Sequence, residues 1–248
     1  MLEVKNLCKY YGGIKAVDQA SFKVEVGSIT ALIGPNGAGK TTAFNCISRT
    51  AVPTAGEVWL DGERIDHLRP HKITAKGLSR TFQISRNLAD MTVIENIVVQ
   101  SKVEGLMGLF RPAITAEERD KAMSILDFLG ITRIAYEDGH NLSYGQKKLM
   151  DLAALLMSDP KIILLDEPAG GVNPSLMEEI VARIRTLNEK GLTVLIVEHN
   201  MDLIMRLSHN VVVMAHGKVI CQGTPDIVRK DPQVLEAYLG GVLDVEAA

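Results

Sequence analysis

One short stretch constrains this chain more than any other. Residues 29–33, Ile-Thr-Ala-Leu-Ile, read as a buried strand, and Gly34-Pro35-Asn36-Gly37-Ala38-Gly39-Lys40-Thr41-Thr42 follows directly. The stretch fits the pattern G-x-x-x-x-G-K-[ST] between a strand and a helix start, the context that gives the pattern meaning. Its glycines let the backbone curl so that successive amide N–H groups point inward at phosphate oxygens. The helix that follows adds the partial positive charge of its N-terminus. Lys40 is long enough to reach β- and γ-phosphates, and the Thr41 hydroxyl can ligate Mg²⁺. A chain built around such a loop holds the phosphates of a nucleotide, ATP with Mg²⁺ being the expectation.

The rest of the chain supplies an α/β frame for that loop. Residues 21–26 alternate, with Phe22, Val24 and Val26 on one face and Lys23 and Glu25 on the other, which predicts a half-buried strand. Residues 57–60 predict another, turned by Asp61-Gly62. From about Asn87 to Asp159 the texture is helical. Thr115-Ala-Glu-Glu118 is a capping box, Ala122, Ile125, Leu126 and Leu129 keep a helical spacing after it, and Gly130 ends the helix. Beyond Pro160 the strand–helix rhythm returns. Strands are expected at 162–165 and 193–197, with a helix capped by Asn173-Pro174 and closed by Gly191 between them. Thr224-Pro225 and Asp231-Pro232 start two further short helices. Such alternation predicts a mainly parallel, doubly wound sheet.

Composition narrows the partners. With 248 residues, 46% of them hydrophobic, the chain can bury a large core, and a formal net charge of −3 gives no reason to expect nucleic acid. No apolar run approaches the roughly 18–20 residues of a membrane-spanning helix. The N-terminus lacks the basic start and apolar core of a signal peptide, so a cytoplasmic location is expected. The cysteines Cys8, Cys46 and Cys221 are far apart and suggest neither a disulfide framework nor a zinc site.

Candidate chemistry gathers at strand ends. The apolar run at 162–165 leads into Asp166-Glu167-Pro168. The C-terminal edge of a parallel sheet is where such folds place ligands. Asp166 would hold Mg²⁺ and Glu167 would act as general base on the attacking water. His199 follows the strand 193–197 and sits at the same edge. His67, His71, His140, His209 and His216 carry no such signal. Leu142-Ser143-Tyr144-Gly145-Gln146 opens an apolar helix, and a serine cap with a glycine there makes a second small anion site.

Together these residues resemble the ATP-binding-cassette (ABC) ATPases: LSYGQ is similar to the family signature LSGGQ, and motif order and spacing match over most of the chain. The resemblance implies a P-loop NTPase fold with a RecA-like, mainly parallel core, an N-terminal antiparallel β region and an inserted helical lobe. On that reading one ABC ATPase domain covers 1–248, with 1–86 and 159–248 as core and 87–158 as helical subdomain. The resemblance also implies a head-to-tail dimer, homomeric or with a paralogous ATPase. Ser143, Gly145 and Gln146 would then contact ATP held by the P-loop of the other subunit. Gln83 matches the Q-loop, which contacts Mg²⁺ and the attacking water and relays the state to a membrane permease. Tyr11 matches the aromatic that stacks on adenine, Gly171-Val172-Asn173 the D-loop, and His199 the histidine that senses the γ-phosphate.

Four segments are similar to the G-type ATPase of branched-chain amino acid importers: Gly77-Leu-Ser-Arg-Thr-Phe-Gln83, Met91-Thr-Val-Ile-Glu-Asn96, Val197-Glu-His-Asn-Met201 and Glu236-Ala-Tyr-Leu-Gly240. This implies an ATPase on the inner face of the cell membrane that energises an importer fed indirectly by a periplasmic or extracellular solute-binding protein. The lipopolysaccharide-export ATPase is similar too, but has a shorter stretch where this chain has residues 105–112. A soluble ABC ATPase without a transporter is the remaining reading. Tyr144 replaces the first signature glycine and Asn173 the D-loop aspartate, while Leu149 and Ala154 stand where arginines are usual, which leaves the electrostatics behind the signature open.

Overall fold

The computed structural model describes residues 2–81, 88–101 and 114–243. Two sheets organise them. In the first, β1 (Leu2–Tyr11) lies between β2 (Ile14–Val24) and β4 (Ala55–Leu60), and β5 (Glu63–Arg64) closes the order β2-β1-β4-β5, all antiparallel. The β4–β5 hairpin turns on Asp61 (φ 50°) and Gly62 (φ 80°). Two successive left-handed residues match the twist of the flanking strands, as expected of Asp-Gly.

The strand expected at 21–26 is longer at its start and shorter at its end. Its pairing with β1 stops at Leu2↔Val24, where the partner strand begins. The Glu25 carbonyl then accepts from the Ser28 amide (3.2 Å) and hydroxyl (2.8 Å), so the chain is already turning. Val26, expected on the buried face, is 72% exposed.

The second sheet has the order β10-β9-β3-β8-β7-β6, where β3 is Ile29–Ile33, β6 Leu78–Arg80, β7 Ile162–Asp166, β8 Thr193–Val197, β9 Asn210–Ala215 and β10 Lys218–Gly223. All its pairs are parallel except β9–β10, which bears out the mainly parallel core. Every residue of β3, β7 and β8 is buried, as strands covered on both faces must be. Successive side chains alternate between two cores. Ile163, Leu165, Val194 and Ile196 face one cluster, and Ile162, Leu164, Leu195 and Val197 face the other.

The first cluster is built with α3 (Val93–Val98), α4 (Ala116–Phe128), α5 (Tyr144–Met157), α6 (Pro174–Glu189) and α7 (Met201–Leu207). The second takes in α1 (Lys40–Ile47) and the inner face of the antiparallel sheet. Helix α2 (Pro70–Ala75) precedes β6, and α8 (Pro225–Val228) and α9 (Pro232–Leu243) end the described chain.

Helix starts follow local chemistry. Thr115 accepts from the Glu118 amide and Asn173 from the Leu176 amide, as their sequences predict. Ser143 caps α5 in a full capping box with Gln146. Thr224 starts α8 without a side-chain cap bond.

Candidate active site

The loop after β3 is shaped by its glycines. Gly34 has φ 148°, and a Cβ there would stand 2.0 Å from the Met214 carbonyl oxygen on β9. Gly39, the residue before α1, has φ 96°, and its Cβ would stand 2.2 Å from the Ala16 carbonyl oxygen. Both positions need glycine for space as well as conformation. Gly37 (φ 78°) faces open space. The loop is tied to its surroundings by the Gly217 amide, which donates to Ala38 O at 3.1 Å, and Ala38 itself is buried.

Lys40 begins α1 and is only 6% exposed. Its Nζ donates to the carbonyls of Gly34 (2.7 Å) and Pro35 (3.0 Å), folding back over the loop. Burial holds the ammonium below the usual lysine range, against the pull of the Glu167 and Asp166 carboxylates. A cation this confined, within a glycine-shaped loop, is the electrostatic counterpart of a polyphosphate. Thr41 and Thr42 follow on the first turn of α1, with Thr41 exposed. Pro35 and Asn36 form the outer part of the loop.

Asp166, Glu167 and His199 converge from neighbouring strands. Asp166 ends β7 and is 1% exposed. Its Oδ2 accepts from Arg80 Nη2 at 2.9 Å, whereas its Oδ1 is buried without a hydrogen-bond partner among the described residues. A buried carboxylate oxygen left without a donor suits a cation or its water ligand. Glu167 adopts φ 49°, a left-handed conformation that costs a non-glycine residue on the order of 1 kcal/mol. Its carbonyl accepts from Lys148 Nζ (3.0 Å) and the Gly170 amide (3.1 Å), and its amide donates to Val197 O (2.9 Å). That backbone sends the side chain towards β8, where Glu167 Oε1 meets His199 Nε2 at 2.7 Å. Parallel pairing of β7 with β8 sets this meeting up, because Asp166 lies opposite Val197.

Three participants were not singled out by the sequence. Arg80, at the end of β6, joins Asp166 to α1 by donating to Asn45 Oδ1 (2.7 Å) and Ser48 Oγ (3.0 Å). Lys148 reaches the Glu167 carbonyl from α5. Glu198 is 5% exposed and accepts backbone amides from the turns that follow β7 and β8. No local pattern distinguishes them, since an arginine, a lysine and a glutamate in polar stretches read as surface residues.

The α5 N-terminus closes on itself. Ser143, Gly145 and Gln146 are engaged in their own helix start: the Ser143 amide donates to Gln146 Oε1 (2.8 Å) and the Gln146 amide to Ser143 Oγ (3.3 Å). Among the described residues no hydrogen bond joins them to the loop 34–42. Gly145 lets Leu176 of α6 approach, since a Cβ there would stand 2.3 Å from Leu176 Cδ2. Tyr144 is half exposed, packed near Gly171 and beneath the Lys148 ammonium. Tyr11 closes β1 with its ring 49% exposed, on the same hairpin as Ala16. Gln83 and residues 105–112 lie outside the described residues. Beside Arg80 opens a cleft of about 410 Å³, lined among others by Thr81, Leu88, Asn96, Gln100 and Asp151.

Comparison with known proteins agrees with this fold. The family model described as ABC transporter matches residues 17–170, and that described as Branched-chain amino acid ATP-binding cassette transporter matches residues 218–244. A high-affinity branched-chain amino acid transport ATP-binding protein of Pseudomonas aeruginosa is 41% identical, over 97% of this chain and 98% of its own. The corresponding protein of Escherichia coli K12 is 36% identical over 97% of this chain and 98% of its own. A nucleotide-free ATP-binding cassette from an ABC transporter superposes with a TM-score of 0.86 at 34% identity, covering 96% of this chain and 98% of that one. The ADP conformation of an ATP-binding cassette of an ABC transporter superposes with a TM-score of 0.85 at 35% identity, covering 97% of this chain and 98% of that one.

Proposed function

This chain belongs to the ATP-binding subunits of ABC transporters, and on that premise we propose that it hydrolyses ATP to drive import of branched-chain amino acids. The observation that carries the chemistry is the 2.7 Å contact of Glu167 with His199, beside Lys40 at the ends of adjacent strands. The loop Gly34-Pro35-Asn36-Gly37-Ala38-Gly39-Lys40 wraps the phosphates and offers them backbone N–H groups, Pro35 having none to give, and the side chains of Thr41 and Thr42 complete the cradle. Lys40 exchanges its two carbonyl acceptors for β- and γ-phosphate oxygens, and Tyr11 stacks on adenine.

Glu167 takes a proton from the attacking water, whose oxygen bonds to the γ-phosphorus while the bridging oxygen leaves with ADP. His199 fixes the Glu167 carboxylate and faces the γ-phosphate. Asp166, Thr41 and Gln83 are the residues that would hold Mg²⁺, and the orphaned Asp166 Oδ1 fits that role. Bound there, Mg²⁺ would neutralise charge developing on the phosphate oxygens.

Among the described residues no hydrogen bond joins Ser143, Gly145 and Gln146 to the loop 34–42, so they are assigned to the ATP of a second subunit, homologous or identical. ATP then bridges a head-to-tail dimer, and hydrolysis loosens it, a ligand-biased two-state device. The cleft beside Arg80 is the docking place for a membrane permease. No helix among the described residues is long and apolar enough to cross a membrane, so attachment to the inner face runs through that partner. The match at 218–244 supports an amino-acid importer over a lipopolysaccharide exporter.

Glu167→Gln tests the assignment. The variant should bind ATP, lose at least about a hundredfold in phosphate release, and accumulate as a dimer on size exclusion with ATP. Phosphate release at the wild-type rate would show that Glu167 is not the base.

A further inference from the structure

Glu198 directly follows β8, and its side chain turns inward. It is 5% exposed, whereas the side chain of its neighbour His199 is 49% exposed and turned to Glu167. A carboxylate buried this deeply must be hydrogen-bonded. Oε1 accepts from the Ala169 amide at 2.9 Å and Oε2 from the His199 amide at 3.3 Å. Among the described residues no lysine or arginine forms an ion pair with it. Burial and the nearby Glu167 charge push its carboxyl above the usual range, against the two amides and the His199 ring. A carboxylate held this way adds little to stability compared with an apolar residue of the same size, so its value is geometric.

The two amides belong to the two loops that matter. Ala169 lies in the turn that begins at Glu167, the residue held at φ 49°. His199 supplies the other half of the 2.7 Å contact. Within the turn at 167–170 the Gly170 amide and Lys148 Nζ both bond the Glu167 carbonyl, the Glu167 amide continues the sheet ladder to Val197 O, and none of the three reaches the chain beyond Val197. One carboxylate therefore spans the gap between the turns after β7 and β8.

We propose that Glu198 is a positioning residue that clasps the Glu167 turn to the His199 turn and keeps their side chains in contact during turnover. The inference rests on the roles given above to Glu167 and His199. It concerns turnover and leaves nucleotide binding alone, since neither amide it holds belongs to the loop 34–42.

The test compares Glu198→Ala, Glu198→Gln and Glu167→Gln in the full chain, measuring steady-state phosphate release and binding of a fluorescent ATP analogue. Glu198→Ala should lower kcat by about tenfold or more, the factor set by about 1.4 kcal/mol of lost positioning, with KM and analogue affinity within about threefold. Glu198→Gln keeps one carbonyl acceptor but sets its NH₂ against the second amide, so it should turn over faster than the alanine variant and slower than the wild type. Wild-type kcat in Glu198→Ala would overturn the clasp, as would a Glu198→Gln no faster than the alanine variant. A loss of analogue affinity in Glu198→Ala as large as its loss of kcat would also overturn it, because that marks a merely structural role. Undiminished turnover in Glu167→Gln would instead refute the role given to Glu167, whatever Glu198 does.

Discussion

Replacing Arg80 by methionine probes the most buried charges of the site. Arg80 and Asp166 form an ion pair at 2.9 Å with side chains 6% and 1% exposed. Removing one member of such a pair costs about 3–5 kcal/mol, because the other charge stays buried without compensation. Methionine relieves the desolvation of the guanidinium and keeps some of its apolar contact with the Phe44 ring, which lies 5.5 Å away. The acceptors Ser48 and Thr50 already share a hydrogen bond at 2.7 Å, so they lose less than Asp166 does. About 3 kcal/mol is the resulting expectation, at the low end of the range for broken pairs. For a chain of this size that lowers Tm by roughly 6–12 °C. Thermal unfolding of the nucleotide-free chain, followed by circular dichroism, measures it. Asp166→Asn and the double variant complete a cycle in which the double variant is more stable than the two single losses predict, by about 1 kcal/mol or more. A fall in Tm under about 2 °C for Arg80→Met, or strictly additive losses, would refute the pair as the support of the β7 end.

Lys40→Ala should weaken nucleotide binding by roughly a hundredfold or more, a few kcal/mol of charge-assisted contact; a titration with unchanged affinity would sink its assigned role. Gly34→Ala and Gly37→Ala should separate fold from ligand. The first drives a Cβ against Met214 O and costs about 3 kcal/mol in chemical denaturation, whereas the second meets open space and costs about 1–2 kcal/mol for its left-handed φ. Equal destabilisation of the two would contradict the loop geometry. Asp66 titrates below the usual carboxylate range: burial works to raise it, but the two hydrogen bonds from Arg64 and one from the Val58 amide outweigh burial. A depressed carboxyl stabilises the fold above its unfolded pKa, and that share is lost as pH falls through the folded value. The stability gap between wild type and Asp66→Asn should therefore narrow from pH 6 towards pH 3, and a gap independent of pH would remove Asp66 from the account.

Much of this molecule was legible before its fold was known, and the legible parts share a cause. Strands 29–33 and 193–197, the caps at Thr115, Ser143 and Asn173 and the stop at Gly130 are each set by residues within a few positions of one another. The alternation at 21–26 holds through Val24 and fails at Val26, because the Glu25 carbonyl already accepts from Ser28 and the chain is turning there. Strand β1 itself gave a weak signal: its alternation is broken at Asn6 (φ 47°), where the register shifts. Its pairing with β4, far along the chain, is what makes it a strand.

By itself the sequence determined the phosphate loop, the acidic residues after an apolar strand and the histidine after another. These are short-range facts of backbone freedom and side-chain chemistry. Which strands lie side by side was decided only in three dimensions. Placing β8 between β3 and β7 carries His199 to a glutamate 32 residues away, and placing β6 beside β7 brings Arg80 to an aspartate 86 residues away. Glu198 and His199 are adjacent polar residues that no pattern separates. One became a buried clasp and the other an exposed partner of Glu167 because consecutive side chains leave a strand end in opposite directions, and only packing against the Glu167 turn says which direction leads inward.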